Sequence, residues 1–451
     1  MTNSLHFAEA LLPTGWACDV RVELADGCFA RVTPDTPPQS GDQRCAVALP
    51  GLPNLHSHAF QRGMAGLAER RGASGDSFWT WRETMYRFVD QIGPDDLLAI
   101  AAMAYAEMLE SGFTRVGEFH YLHHDPAGVP YAGGPMAEAL AEAAAQTGIA
   151  LTLLPVFYAQ SGFGGAAPGH GQRRFACSID QFAALRAASG AALAGLPDAV
   201  LGLAPHSLRA VTPEQLSALV ALDQACPIHI HVAEQSAEVA DCLEWSGARP
   251  VEWLLDHAPV DRRWCLIHAT HMTPAESAAL AANGAVVGLC PITEANLGDG
   301  LFPAPAFLAA GGRFGIGSDS NVLIDAAEEL RWLEYGQRLA GQARNLFAAT
   351  PGSSTGGDLL RGALGGGAQA LGAAAEIAVG RSADFVTLDP HHPSLSGARG
   401  DGWLDGWIFA AGRAGIDDVW RRGTQVVADG CHVARAGITA RYRATLAQLL
   451  A

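Results

Sequence analysis

The sequence is expected to fold as an α/β protein, a (β/α)8 TIM barrel with a small β-sandwich-like domain formed from both chain ends. Three observations lead there. From residue 46 onward, short apolar runs alternate with longer Ala/Leu/Glu-rich segments, the mark of βα units around a parallel sheet. Eight such runs can be counted, as many as a closed barrel needs. Both chain ends instead read as short strands punctuated by Gly, Pro and Asp turns.

In order, the expected barrel strands are 46–58, 114–120, 150–158, 200–207, 228–233, 264–269, 285–289 and 313–319. Helical stretches fall between them, among them 94–111, 136–147, 213–225 and 275–283. Outside this unit, strands are expected at 17–24, 384–388, 418–421 and 424–427. The division that follows is a β domain from 1–48 plus 376–435, a barrel over 49–375 and a C-terminal helix over 436–451. The glycine-rich stretch 352–367 lacks the strand–loop–helix context of a phosphate loop and reads as a connection between helices.

Composition narrows the function. With 451 residues, of which 49% are hydrophobic, the chain can bury a barrel and a second domain. No apolar run approaches the roughly 18 residues of a membrane span, and the first residues do not read as a signal peptide. Nine dispersed cysteines, never spaced C-x-x-C, suit reduced thiols in a cytoplasmic protein. A formal net charge of −17 argues against nucleic acid or an anionic membrane as partner. All 29 basic residues counted as Lys or Arg are arginine, so no carbamylated lysine can bridge two metals.

The chemistry collects at strand ends, where a barrel places its active site. Strand one ends Pro53-Asn-Leu-His-Ser-His58, and period-two alternation puts His56 and His58 on one face, where two imidazoles can share a metal. Strand five reads His229-Ile-His-Val-Ala-Glu234. His231, nearer the mouth, is the better ligand, and His229 suits a hydrogen-bonded interior position. Strand six ends at His268 and strand eight at Gly315-Ile-Gly-Ser-Asp319.

Together these residues resemble the amidohydrolase superfamily in its mononuclear deaminase branch, along the whole chain. The resemblance implies that His56, His58, His231 and Asp319 bind one metal ion, and that Glu234, His268 and Asp319 move protons. Three imidazoles and a carboxylate suit Zn2+, one per chain, which lowers the pKa of its water to about 7.

Further rim residues bear on the substrate. The loop after strand one carries Gln61 and Arg82, strand two runs into Tyr121, and strand four ends Leu203-Ala-Pro-His-Ser-Leu-Arg209 with His206 beside it. Two arginines at the mouth of an acidic protein suggest recognition of an anion. The strings His56-Ser-His-Ala-Phe-Gln-Arg-Gly63, Phe78-Trp-Thr-Trp-Arg-Glu-Thr-Met-Tyr86 and Gly317-Ser-Asp-Ser-Asn321 resemble the formimidoylglutamate deiminase family of bacterial histidine degradation. That resemblance implies hydrolysis of N-formimidoyl-L-glutamate to N-formyl-L-glutamate and ammonia, with metal-bound hydroxide attacking the formimino carbon. It further implies that Arg209 and Arg82 hold carboxylates, that Tyr121 and His206 assist, that Gln61 contacts the formimino end, and that the enzyme is a homodimer. The alternative is a zinc deaminase of a heterocyclic base of the guanine, cytosine or triazine type, with Trp79 and Trp81 stacking on the ring. A neutral base has little use for two arginines.

Overall fold

The computed structural model describes residues 3–71 and 78–451. In chain order the strands are β1 (Asn3–Leu12), β2 (Gly15–Ala25), β3 (Cys28–Thr33), β4 (Gln43–Pro50), β5 (Leu52–Ser57), β6 (Phe113–His120), β7 (Ala150–Phe157), β8 (Val200–Leu201) and β9 (Ala204–Pro205). There follow β10 (Ile228–Val232), β11 (Trp264–His268), β12 (Val286–Leu289), β13 (Arg313–Ile316), β14 (Phe385–Leu388), β15 (Ile416–Arg421), β16 (Thr424–Ala428) and β17 (Cys431–His432).

The parallel strands β5 to β13 build the barrel, in the order β10-β11-β12-β13-β5-β6-β7-β8, with β9 also on β7. Parallel bridges from Leu203 to Ile228 and from Ser207 to His231 close the ring between the split fourth strand and β10. β6 and β7 are buried at every position, which is why they read as apolar runs without alternation.

The remaining eight strands form one path, β17-β16-β15-β14-β4-β1-β2-β3. Strand β4 supplies its join, lying parallel to β1 and antiparallel to β14. The path curls over itself, because the Phe29 N–H donates to Arg381 O at 2.9 Å and the Gly380 N–H to Phe29 O at 2.8 Å. Phe7, Phe29, Phe385 and Trp420 fill the space enclosed, Phe385 stacking on Trp420 at 5.4 Å. The first expected strand thus divides between two sheets at Gly51, where a Cβ would lie 2.2 Å from the Thr114 hydroxyl.

Two local expectations change. The segment 352–367 is no connection: it falls largely within the helix Thr355–Ala370. Packing requires two of its glycines in particular, since a Cβ on Gly366 would sit 1.8 Å from Phe314 O, and one on Gly367 3.0 Å from Pro53. The helix expected over 213–225 stops at Ala221, and beyond it the Asp223 carboxylate accepts from the N–H groups of Ala225 and Cys226. The last helix, Arg435–Leu449, is tied to the barrel helix Pro94–Glu110 by Arg435, which pairs with Glu107 and Glu110. No helix among the described residues is long and apolar enough to cross a membrane.

Candidate metal-dependent active site

At the C-terminal rim of the barrel, His56 from β5, His58 just beyond it, His231 from β10 and Asp319 after β13 offer ligand atoms that lie within 4.8 Å of one another. The Nε2 atoms of His56 and His231 are 3.1 Å apart. Asp319 Oδ1 is 3.5 Å from His56 Nε2 and 3.3 Å from His58 Nε2. Nε2 becomes the inward atom because Nδ1 is engaged outside: His58 Nδ1 meets Phe119 O at 2.9 Å and His231 Nδ1 meets His206 O at 3.0 Å. Burial lowers the pKa of all three imidazoles, which keeps them neutral with a lone pair free. Three such nitrogens and one carboxylate oxygen converging in a buried site fit a divalent transition metal. His229 stands apart one layer deeper, its Nε2 on Ala370 O at 2.8 Å.

The ends of β5 and β13 are locked together by a buried amide–hydroxyl lattice. Asn54 Nδ2 donates to Ser318 Oγ at 2.7 Å, Ser318 Oγ to Asn321 Oδ1 at 2.6 Å, and Asn321 Nδ2 to Ser57 Oγ and His58 O at 3.1 Å each. Backbone bonds from Asp319 N to His56 O and from His58 N to Asp319 O complete the register. The turns that aim the side chains are left-handed: Ala233, His268, Ala269, Asp319 and Asn321 all have φ between 42° and 67°. Non-glycine residues seldom adopt such values, and their clustering at a rim marks a site that the surrounding hydrogen bonds hold in place.

Beside the cluster lies His268. Its Nε2 is 3.7 Å from Asp319 Oδ2 and 3.9 Å from Glu234 Oε1, and its Nδ1 is 3.2 Å from Glu294 Oε1. Burial lowers the affinity of this ring for a second proton, but Glu234, Glu294 and Asp319 outweigh burial and raise it. Burial pushes the Glu234 carboxyl above the usual carboxylate range, against the pull of His268 and Arg209.

Above these groups opens a pocket whose wall includes Gln61, Arg82, Tyr121, His206 and Arg209, together with His58, His231, Glu234, His268 and Asp319. Thus every expected site residue reaches it except His56, which lies fully buried beneath. Gln61 Nε2 donates to the Tyr121 hydroxyl at 2.9 Å, while Gln61 Oε1 is buried and finds no partner among the described residues. Arg82 projects from the helix Phe78–Val89. The buried Arg174 fastens the end of that helix to the rim, donating to His124 O at 2.9 Å, to Ile92 O at 2.8 Å and to Val89 O. Trp81 lines the pocket, whereas the Trp79 side chain lies outside the described residues.

Several participants escaped the sequence reading. Tyr158 directly follows β7, at a strand end with no histidine or carboxylate, and only its place at the rim signals it. Glu294 and the Asn54–Ser318 pair bond to site residues from outside the pocket, and their identity follows only from the fold.

Comparison with known proteins identifies the family. The model of the amidohydrolase family matches residues 47–426, and that of the formimidoylglutamate deiminase HutF N-terminal domain matches residues 2–46. A formimidoylglutamate deiminase from Pseudomonas aeruginosa is 50% identical over 99% of this chain and 100% of its own length. A crystal structure of an amidohydrolase from Brucella melitensis superposes with a TM-score of 0.97 at 55% identity, covering 100% of both chains. An adenosine deaminase from Xanthomonas campestris, solved with bound zinc, shares the fold with a TM-score of 0.81 at 24% identity, over 99% of this chain and 98% of its own. The chain therefore belongs to the amidohydrolase family, within its formimidoylglutamate deiminase group.

Proposed function

We propose that the protein hydrolyses N-formimidoyl-L-glutamate to N-formyl-L-glutamate and ammonia, using one Zn2+ per chain held by His56, His58, His231 and Asp319. The observation that carries this reading is a four-ligand cluster at the base of a pocket whose wall presents two arginines. A bound divalent ion supplies Lewis acidity, which acidifies a water enough to attack near neutral pH.

The chain's own residues do the rest. Arg82 and Arg209 hold the two carboxylates, with Tyr121 and His206 beside them, which fixes the formimino carbon over the cluster and selects which nitrogen departs. Gln61 Oε1, a buried acceptor, suits the N–H of the formimino end. Asp319 directs Oδ1 at the imidazoles and Oδ2 at His268, so it can take the proton from the attacking water. Glu234, whose carboxyl binds a proton more readily than an exposed one, gives that proton to the terminal nitrogen, and ammonia leaves. His268 orients the attacking oxygen and stabilises charge on the tetrahedral carbon's substituents.

Measuring ammonia release in parallel on formimidoylglutamate, cytosine and guanine tests the assignment. Turnover of a base in preference to the amidine would favour the heterocyclic reading, in which Trp81 stacks on the ring. Nine cysteines present as free thiols support a cytoplasmic enzyme. A homodimer is supported by the partly exposed Trp332, Tyr335 and Leu339 on one face of the helix Ala326–Gly341, and light scattering tests it.

A further inference from the structure

Tyr158 is placed by β7 at the rim, and its backbone is pinned there, for its carbonyl accepts from the Cys177 N–H at 2.9 Å. Its ring packs edge-on against His206, with centroids 4.8 Å apart, and against Phe175 at 6.1 Å. The phenol oxygen accepts a hydrogen bond from Gln172 Nε2 at 3.0 Å. The direction of that bond is fixed, because Gln172 Oε1 already accepts from the Gly169 N–H at 2.7 Å, so the amide cannot be turned round. With the amide hydrogen on its lone pair, the phenol keeps its own hydrogen as a donor in the pocket it lines.

The surroundings specify what that donor meets. Arg209 and Arg82 both lie close enough to influence the ionisation of Tyr158, and both line the same pocket. Burial, with Tyr86 adding to it, still pushes the phenol up to about 12, so it stays a neutral donor at any working pH. A neutral donor beside two guanidinium groups complements an anionic oxygen and offers nothing to a cation.

We propose that the Tyr158 hydroxyl, oriented by Gln172, donates a hydrogen bond to a substrate carboxylate alongside Arg82 and Arg209, and so helps determine specificity for an acidic substrate. This rests on the reading of the substrate as formimidoylglutamate. Tyr158 takes no part in bond making, and Gln172 acts only by positioning it.

Tyr158→Phe removes the hydroxyl and keeps the ring that packs on His206. Its KM for formimidoylglutamate should rise roughly 10- to 100-fold, the worth of one hydrogen bond to a charged group, with kcat much less affected. Inhibition by the product N-formylglutamate should weaken by a similar factor, a readout independent of the chemistry. Metal content and thermal midpoint should match the wild type. Gln172→Met should raise KM less, and in the Tyr158→Phe background it should add less than about twofold, as expected for two groups acting through one bond. An unchanged KM and product affinity in Tyr158→Phe, or a fall in kcat alone, would overturn the proposal. Wild-type enzyme inert on formimidoylglutamate would instead sink the substrate assignment itself, so the two failures are told apart by the wild-type control.

Discussion

Replacing Glu234 by Gln separates proton transfer from metal binding. The change keeps the shape of the side chain but leaves it unable to carry a proton. Glu234 is not among the four residues whose ligand atoms converge, and its nearest catalytic neighbour is His268 Nε2, 3.9 Å away. The metal should therefore stay bound at wild-type stoichiometry. Turnover should fall by about 100- to 10,000-fold, the range of a positioned general acid–base group, equivalent to roughly 3–5.5 kcal/mol of barrier. KM should change little, because the proposed anchors Arg82 and Arg209 are untouched. The assay pairs initial rates of ammonia release with metal analysis of the gel-filtered protein. Loss of metal along with activity would make Glu234 a ligand or the support of one, and near-normal turnover would remove it from the mechanism.

Three further outcomes are expected. His231→Ala should abolish both activity and stoichiometric metal, whereas His229→Ala should retain metal and lose only about 1–3 kcal/mol of stability by leaving Ala370 O without its partner; metal retained by the first variant would refute the ligand assignment. Arg209→Lys and Arg82→Lys should each lower kcat/KM by roughly 30-fold or more with normal far-UV spectra and metal content, since a point charge cannot reproduce a planar fork; full rescue by lysine would argue against a bidentate clamp. Gly366→Ala places a methyl group where Phe314 O stands and should cost at least about 1–3 kcal/mol in urea unfolding, while a neutral effect would mean the helix is not seated as described.

The barrel was legible because its strands repeat one simple pattern, an apolar run ending in a polar side chain. Period two sorted His56 and His58 onto one face without any structure; it also puts His229 and His231 on one face, and there the position nearer the mouth of the barrel favoured His231. Where local pattern and tertiary packing conflict, sequence misled. Residues 352–367 look like a helix breaker, yet the helix forms because only glycine lets it press onto Phe314 and Pro53. Glu294 has no local signature, and although Ser318 and Asn321 stand in a recognisable string, their bonding role with Asn54 shows only once the fold brings the partners together. Tyr158 stands at a strand end that carries no histidine or carboxylate, so its residue type alone gives no sign of a role in the site.

The interlaced β domain has a consequence for biogenesis. Strand β4 needs β14 as its antiparallel neighbour, and β14 is made only after every strand of the barrel. The opening strands can pair with one another early, but one edge of their sheet stays bare until the whole barrel has been made. An open edge of this kind invites intermolecular pairing. Deleting the last strands should thus damage the amino-terminal sheet first and leave soluble yield, more than catalysis, as the most sensitive readout. Joining the two ends and opening the chain at an exposed barrel loop would place β4 and β14 close together in synthesis order, shortening the interval during which that edge waits.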